Sequence, residues 1–429
     1  MPLAVQEARA ATQAFPDRHD ERYPQIVRAL RNPNFRLFWS GNFLSNIGTW
    51  MQNVAQGWLV LTLTNSAFWL GVVGFAGSIP FLIFTLFGGV IADRVNKRRL
   101  LIVTQTVMMI LAFILAALAW FKGADGRPLI TVWELVALAF LNGMAMAMNA
   151  PSYQALVPRL VPREDLTNAI ALNSAQFNMS RILGPTLGGY AMALVGVAGN
   201  FFLNGLSFLA VLWALTRIEY PEDAPRAHPS LLESLRQGFG YVRRQPQMRV
   251  LLGMTGVVSL LGIPFITFIP YFAKMQLHAG ETGLGWLLAA SGLGAVLGAV
   301  TVAAMGTLRH RGAVVTFGGI TFFTAIICFS YSHIFALSQF LLLFEGYSAI
   351  LMISSFNVAI QHLSSDEMRG RVMSIYATFF LGLPPLGALL AGEMSRHIPT
   401  PHALAAMAAL AALCFLAFFT FSKELRALD

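Results

Sequence analysis

A few ionisable residues stand inside apolar stretches of this 429-residue chain, and Glu345 is the clearest of them. It lies in the middle of an apolar run, with Gly346 and Ser348 close by. A charge near the midplane of a bilayer costs at least about 2.5 kcal/mol and usually serves a function. A carboxyl group there could alternate between neutral and ionised forms, which is the chemistry of proton coupling or cation recognition. The alternative is a structural carboxyl group that is hydrogen-bonded to another helix.

Arg181 is a second charge inside an apolar stretch. It could act as a distant partner of Glu345 or anchor an anionic substrate. We expect instead that its guanidinium extends along the helix to the cytoplasmic surface, as long basic side chains often do. Glu134 and Glu393 fall near the ends of apolar stretches, where a solvated helix end is favoured over a proton entry point.

The composition indicates what positions these side chains. Hydrophobic residues make up 56% of the chain and charged residues 11%, which excludes an ordinary soluble enzyme because soluble domains carry about 25% charged residues. Cys328 and Cys414 both lie in apolar runs, so neither a disulfide framework nor a thiolate metal cluster is expected. The net charge of +9 comes from short clusters between neutral stretches, and this pattern argues against a continuous nucleic-acid-binding face.

Apolar length predicts an all-α membrane protein with twelve transmembrane helices. A crossing takes about 20 residues, and the runs are continuously apolar, which argues against the alternating strands of a barrel. The predicted helices are a pair between 36 and 93 that turns at 63–66, then 100–121, 131–150, a pair between 167 and 216 that turns at 196–199, 250–273, 282–306, a pair between 312 and 359 that turns at 330–334, 372–392 and 402–422.

Charge distribution predicts the orientation and the domain organisation. Most of the 29 Lys and Arg residues fall in segments that are cytoplasmic if the N-terminus is inside, so both termini are predicted to be cytoplasmic. The first 30 residues have no apolar core and read as a tail rather than a signal peptide. The predicted parts are a tail (1–34), a six-helix half (35–217), a linker with an amphipathic helix at the inner membrane surface (218–247), a second six-helix half (248–422) and a second tail (423–429).

Repeated motifs indicate that the two halves are related. Val161-Pro-Arg-Glu-Asp-Leu is followed by Gly184-Pro185-Thr-Leu-Gly188 in the first half. Ser364-Ser-Asp-Glu-Met-Arg-Gly-Arg is followed by Leu383-Pro384-Pro385-Leu-Gly387 in the second. Both halves run in the same sense, which predicts a parallel repeat about an axis along the membrane normal, around a central cavity.

The segment Gly89-Val-Ile-Ala-Asp93-Arg94-Val-Asn-Lys97-Arg98-Arg99 resembles the loop motif between the second and third spans of the major facilitator superfamily. Asn96 replaces the second glycine of that motif, and asparagine also tolerates a left-handed backbone. The corresponding loop of the second half keeps Gly306, Arg309, His310 and Arg311 but no Asp. The segments Pro151 to Leu166 and Arg181 to Gly189, with Arg369-Gly370-Arg371 and Pro385-Leu-Gly387, are similar to the drug and siderophore exporter branch of this superfamily.

The resemblance implies roles for these residues. Gly89, Asp93, Arg94, Lys97 and Arg98 would form a conformational latch between the halves, and the alternative is a loop acid that balances nearby bases.

In the fifth span, Gly184, Pro185, Gly188 and Gly189 after Arg181 match a motif associated with antiport, which is also compatible with plain helix packing. Arg369, Gly370 and Arg371 form the cytoplasmic loop motif of the second half.

The same resemblance implies that spans one, four, seven and ten line the substrate path. We therefore expect a substrate cavity lined by Asn46, Gln52, Gln56, Asn142 and Ser348, and interhelical hydrogen bonding is the competing interpretation. Ala139 stands where many proton antiporters of this superfamily carry an arginine, which puts an arginine-assisted proton relay in doubt.

The predicted function is secondary transport. The chain has neither a Gly-x-x-x-x-Gly-Lys-[Ser/Thr] loop nor a His-Glu-x-x-His motif, so we expect no enzyme, no direct use of ATP, no metal and no cofactor. The resemblance implies a monomer in the bacterial inner membrane that exports amphipathic small molecules of drug or siderophore type by proton antiport. An importer or lipid transporter on the same scaffold, and a transport-inactive receptor or scaffold, are the alternatives.

Overall fold

The computed structural model describes residues 24–94, 96–123, 126, 128–219, 231–305 and 311–421. For residues 81–82, 84–94, 231–236, 305, 311–315, 419 and 421, only the backbone is described. This part of the chain consists of helices and short connections, with one isolated bridge between Lys122 and Pro128. We refer to residues 24–219 and 231–421 as the first and second halves of the chain.

The first half contains five long helices: α1 Pro33–Thr64, α2 Ala67–Arg94, α3 Lys97–Trp120, α4 Val132–Leu156 and α5 Leu166–Arg217. Asn65 adopts a left-handed conformation (φ 47°) between α1 and α2. Gly196 (φ 72°) breaks α5 into two arms, 166–195 and 197–217. Both turns occur where the sequence predicts them, because Gly and Asn adopt positive φ at low cost.

The second half contains an amphipathic helix and six further helices: α6 Leu231–Arg244, α7 Pro246–Gln276, α8 Gly280–Met305, α9 Arg311–Ser330, α10 Phe335–Leu363, α11 Asp366–His397 and α12 Thr400–Phe421. Two π-helical turns and a 3₁₀ segment, Ile263–Phe268, interrupt α7. Pro264 and Pro270 lie in this irregular part, and a proline removes a backbone donor that a regular helix would use.

Eight helices within the described residues are long and apolar enough to cross a membrane, namely α3, α4, α5, α7, α8, α10, α11 and α12. Ala67–Pro80 of α2 and Thr316–Ser330 of α9 are shorter apolar helical segments. With 52 residues and a break at Gly196, α5 is long enough for two crossings. The protein is therefore an all-helical, multi-span membrane protein, and the count of twelve spans stays a prediction.

Contacts between helices lie at both ends of the bundle. At the N-terminal end, the backbone N–H of Ala29 donates to Asn168 Oδ1 at 2.8 Å, which ties the segment before α1 to the start of α5. At the opposite end, Lys274 Nζ of α7 donates to Thr62 Oγ1 of α1 at 2.9 Å. The guanidinium of Arg396 on α11 lies 5.0 Å from the ring centroid of Phe68 on α2. These last two contacts join the first half of the chain to the second.

Asp165, just before α5, provides a test of the N-terminal end. Its side chain is almost fully buried, 2.7 Å from Arg28 Nε and 3.1 Å from Asn32 Nδ2. Removing the carboxylate takes the buried partner from Arg28, which keeps only the exposed Glu164 at 3.3 Å, so Asp165→Ala is expected to lower the free energy of unfolding by about 1.5–3 kcal/mol. The matched control is Glu164→Ala, whose side chain is 69% exposed. Thermal unfolding in one detergent compares the two, and equal effects would contradict the structural role of Asp165.

Candidate functional site

A cavity of about 420 Å³ lies where the two halves of the chain meet. Its size is within the range of small-molecule sites. Residues of α1, α2, α4 and α5 form one wall, and residues of α7 and α8 form the other. The polar side chains of the wall are Asn53, Gln56, Ser78, Asn142, Arg181, Thr267 and Ser291, and the aromatic one is Trp50. The cavity thus combines an apolar lining with convergent hydrogen-bonding groups, as sites for amphipathic molecules do.

Arg181 is the charged residue among the described residues that line the cavity. It lies about 22 Å along α5 from the start of that helix at Leu166, which is deep in a membrane-spanning segment. The structure therefore places Arg181 at the cavity wall and not at the membrane surface, which is the position that its sequence context predicts. Ala139 lines the same cavity.

Glu345 is buried in α10, with only 6% of the residue exposed. Ser291 Oγ of α8 donates to Glu345 Oε2 at 2.8 Å. Among the described residues, Ser291 lines the cavity and Glu345 does not, so the carboxyl group lies one side chain behind the wall. Arg181 and Glu345 attract each other electrostatically without a direct ion pair within 4.0 Å.

Glycines bring α8 close enough to α10 for this contact. A Cβ atom at Gly298 would lie 2.7 Å from the carbonyl oxygen of Tyr347. A Cβ atom at Gly294 would overlap the carbonyl oxygen of Leu343, and one at Gly346 would overlap that of Ser291. Small residues at such positions allow helix backbones to approach in membranes. The register of Ser291 against Glu345 is therefore fixed by backbone packing.

The residues predicted to line the cavity divide into two groups. Gln56 and Asn142 lie on its wall. Gln52 is buried elsewhere, because its Oε1 accepts a hydrogen bond of 2.7 Å from Asn204 Nδ2 in the second arm of α5. Asn46 and the buried Ser348 are also outside the lining among the described residues. For Gln52 the competing interpretation, interhelical hydrogen bonding, describes what the structure contains.

The Gly-Pro motif of α5 packs against two helices. Gly184 and Gly188 face α1, where a Cβ atom at Gly188 would lie 3.0 Å from Met51 Cα. Gly189 faces α8 of the second half, where a Cβ atom would lie 2.8 Å from the carbonyl oxygen of Glu281. Pro185 lines the cavity between these contacts. The motif therefore allows α5 to pack closely against α1 of the first half and α8 of the second half.

The predicted latch is described only in part. The side chains of Asp93 and Arg94, and the surroundings of Gly89, lie outside the described residues, as do Gly306, Arg309 and His310 of the second half. Lys97 is half-buried at the start of α3. Arg98 donates to the carbonyl oxygens of Leu215 and Thr216 at 2.5 and 2.7 Å, so these two bonds lie within the first half. A cation at the carboxyl end of α5 stabilises that helix end.

Asn96 has a different role from the one expected. Its φ is −56°, so the left-handed backbone anticipated at this position is absent. Its Oδ1 instead accepts a hydrogen bond of 3.0 Å from the backbone N–H of Arg99. The residue is the N-cap of α3, a position that asparagine favours.

The Arg369-Gly370-Arg371 motif lies in the first turns of α11. Arg369 pairs with Asp366 at 2.7 Å, Arg371 Nη1 is 3.2 Å from Met368 Sδ, and Gly370 faces open space. The nearby N–H of Ser365 donates to the hydroxyl of Tyr241 on α6 at 3.2 Å, and this bond lowers the pKa of Tyr241. The motif and α6 therefore brace the turn that follows α10.

Two further acids lie at helix ends, as the favoured interpretation predicts. Glu134 accepts hydrogen bonds from the N–H and the hydroxyl of Thr131 and completes the N-terminal cap of α4. Glu393 pairs with Arg396 and His397, both at 3.2 Å. Neither acid lines the cavity.

The membrane-spanning helices and the cavity between the two halves of the chain define a multi-span membrane protein with a site of small-molecule size. Residues 27–429 match the family described as transmembrane secretion effector, and the chain belongs to this family of the major facilitator superfamily.

Its relatives include transporters of siderophores and drugs. The staphyloferrin A transporter of Staphylococcus aureus is 26% identical over 83% of this chain and 88% of the relative. The multidrug efflux pump Tap of Mycolicibacterium fortuitum is 26% identical over 80% and 84%, and the enterobactin exporter EntS of Shigella boydii is 25% identical over 87% and 88%.

Solved structures share the fold. The nucleoside transporter NupG superposes with a TM-score of 0.74 at 14% identity and covers 91% of this chain and 100% of its own. The D-xylose-proton symporter gives a TM-score of 0.70 at 13% identity, with coverage of 91% and 98%. At this identity the likeness concerns the fold alone.

Proposed function

We propose that the protein is a secondary active exporter of amphipathic small molecules, of drug or siderophore type, driven by proton antiport. The observation that carries this proposal is the cavity between the two halves of the chain, with a buried carboxyl group one side chain behind its wall. The names of the efflux pump Tap and the enterobactin exporter EntS support the outward direction.

The proposed architecture is two parallel six-helix repeats with both termini in the cytoplasm. The first repeat consists of α1 to α4 and the two arms of α5, the second of α7 to α12, and α6 lies at the inner membrane surface between them. In this orientation, the contacts Lys274–Thr62 and Arg396–Phe68 close the periplasmic end of the cavity. Rocking of the two repeats opens that end and closes the other, and the motif around Asp93 acts as the latch of the outward-facing state.

Proton coupling follows from the position of Glu345. A buried carboxyl group is stable when it carries a proton or when a positive or hydrogen-bond-donating partner approaches it. Substrate and proton therefore compete for the same group, and each favours departure of the other. Exchange in opposite directions requires a site that does not hold proton and substrate at the same time. Competition for Glu345 meets this requirement.

Oriented proteoliposomes provide the test, with ethidium and iron-free enterobactin as substrates. We expect an imposed proton gradient to drive at least one of them from the cytoplasmic side to the other, with protons moving the opposite way. Accumulation in the reverse direction would favour the importer. A failure of both compounds to move, in protein of confirmed fold and orientation, would favour a transport-inactive receptor.

A further inference from the structure

Ser291 connects the cavity to the coupling carboxyl group. The residue lines the cavity, yet its hydroxyl is only 2.8 Å from Glu345 Oε2. Its backbone is held in place because the carbonyl oxygen of Ser291 packs against Gly346. Ser291, of which only 1% is exposed, is therefore the described side chain that lies between Glu345 and the cavity.

The protonation state of Glu345 sets the direction of this hydrogen bond. A hydroxyl group has one donor hydrogen and two acceptor lone pairs, whereas a carboxylate only accepts. With Glu345 ionised, the hydrogen of Ser291 is committed to Oε2, and Ser291 offers only lone pairs to the cavity. With Glu345 protonated, the acid donates its own hydrogen to Ser291 Oγ, and the hydroxyl hydrogen of Ser291 turns to the cavity.

Burial makes the second arrangement the stable one for the acid. Ser291 is the hydrogen-bond partner of the Glu345 carboxyl group among the described residues. A buried O–H group without an acceptor costs about 1–3 kcal/mol, so the acid hydrogen goes to Ser291. No other described side chain is hydrogen-bonded to it.

We propose that Ser291 is a specificity-determining residue whose face to the cavity changes from acceptor to donor when Glu345 takes up a proton. The substrate class it selects is amphipathic molecules with an N–H or O–H donor, such as protonated amines and phenols. The inference rests on the proposed function. It also gives the direction of the effect of the proton on substrate binding. Proton uptake at Glu345 turns the Ser291 hydroxyl hydrogen toward the N–H or O–H donor of the substrate, which weakens binding.

The charges around Glu345 are compatible with this mechanism. Arg181 of α5 is the charged group that acts on Glu345, and no titratable side chain in the described parts of α7, α8, α9 or α11 faces it. Because a guanidinium stays charged, pH dependence arises from Glu345 itself. Affinity for a donor-bearing ligand therefore rises as pH increases through the titration of Glu345 and is lost as pH falls.

Two fluorescent probes distinguish the effect of a hydrogen-bond donor on binding from the effect of the positive charge. Protonated acridine orange has a ring N–H, whereas 10-methylacridine orange has the same charge and no ring donor. Binding to the full chain is measured by anisotropy at pH values where acridine orange stays protonated. In the wild type, affinity for both cations is expected to rise with pH as Glu345 ionises, and the rise for acridine orange to exceed that for the methylated probe about tenfold, the value of one hydrogen bond to a charged group.

Substitutions at Ser291 should abolish this difference between the probes. Ser291→Ala is expected to reduce the pH dependence for acridine orange to that for the methylated probe. Ser291→Cys, which keeps the side-chain size and loses the strong donor, carries the same test if the alanine variant does not fold. Ser78→Ala is the matched control, because Ser78 lines the cavity on α2 without contacting Glu345.

The outcomes distinguish the inference from the function on which it rests. An unchanged pH dependence in folded Ser291→Ala and Ser291→Cys, or an equal pH dependence for both probes in the wild type, would overturn the role of Ser291. Absence of proton-coupled transport by wild-type proteoliposomes would instead overturn the proposed exporter.

Discussion

Glu345→Gln is expected to abolish proton-driven transport while the protein remains folded. Glutamine has nearly the same shape and can still accept the hydrogen bond from Ser291, but it cannot ionise. Each pH unit of gradient is worth about 1.4 kcal/mol, or a tenfold concentration ratio in a one-for-one exchange. With a gradient of about two pH units, the wild type should sustain an ethidium ratio of about 100, and the variant a ratio near one.

The control for this experiment is Glu393→Gln. Glu393 lies near the end of α11 with a side chain that is 46% exposed, and it pairs with Arg396 at 3.2 Å. Both substitutions remove one negative charge, but only Glu345 is buried next to the cavity. If Glu345→Gln sustains the wild-type ratio in the same vesicles, Glu345 is not the coupling group.

Much of the helical architecture could be predicted because membrane-spanning helices need a fixed apolar length. The turns at Asn65 and Gly196 could also be predicted, since residues that accept positive φ interrupt otherwise apolar stretches. The N-cap role of Asn96 could not be distinguished from a left-handed turn, because asparagine favours both conformations.

The geometry of the candidate site can be predicted from the sequence less well than the helices. Glu345 stood out because an acid in an apolar stretch is rare, but its contact with Ser291 depends on the register of α8 and α10. That register is fixed by glycines at which added Cβ atoms would meet the opposite backbone, and a single sequence does not pair helices. Gln52 shows the same limit, because its polarity was evident while the face of α1 that contacts Asn204 was not.

Gly285→Ala on α8 is expected to shift the equilibrium between the two conformations. A Cβ atom there would lie 2.6 Å from the carbonyl oxygen of Pro185 and 3.3 Å from Gly189 Cα. These are backbone atoms of α5, which cannot rotate away, so the two helices must separate. Overpacking of this kind costs about 1–3 kcal/mol, a shift of about 5- to 150-fold in population. This contact joins the two halves of the chain in the conformation that is closed at the end with the Lys274–Thr62 and Arg396–Phe68 contacts. Weakening it therefore increases the population of the conformation that is open at that end.

The shift is measured as the rate at which a membrane-impermeant maleimide labels a cysteine at Gln56, in a background where Cys328 and Cys414 are serine. Labelling from the end with the Lys274–Thr62 contact should be faster in Gly285→Ala than in its parent. Substrate turnover should be slower, because one state of the transport cycle is overpopulated. Gly253→Ala is the control, since its Cβ atom would meet only the Phe418 ring at an ordinary 3.5 Å. Unchanged labelling in folded Gly285→Ala would mean that the seam between α5 and α8 does not govern which end opens.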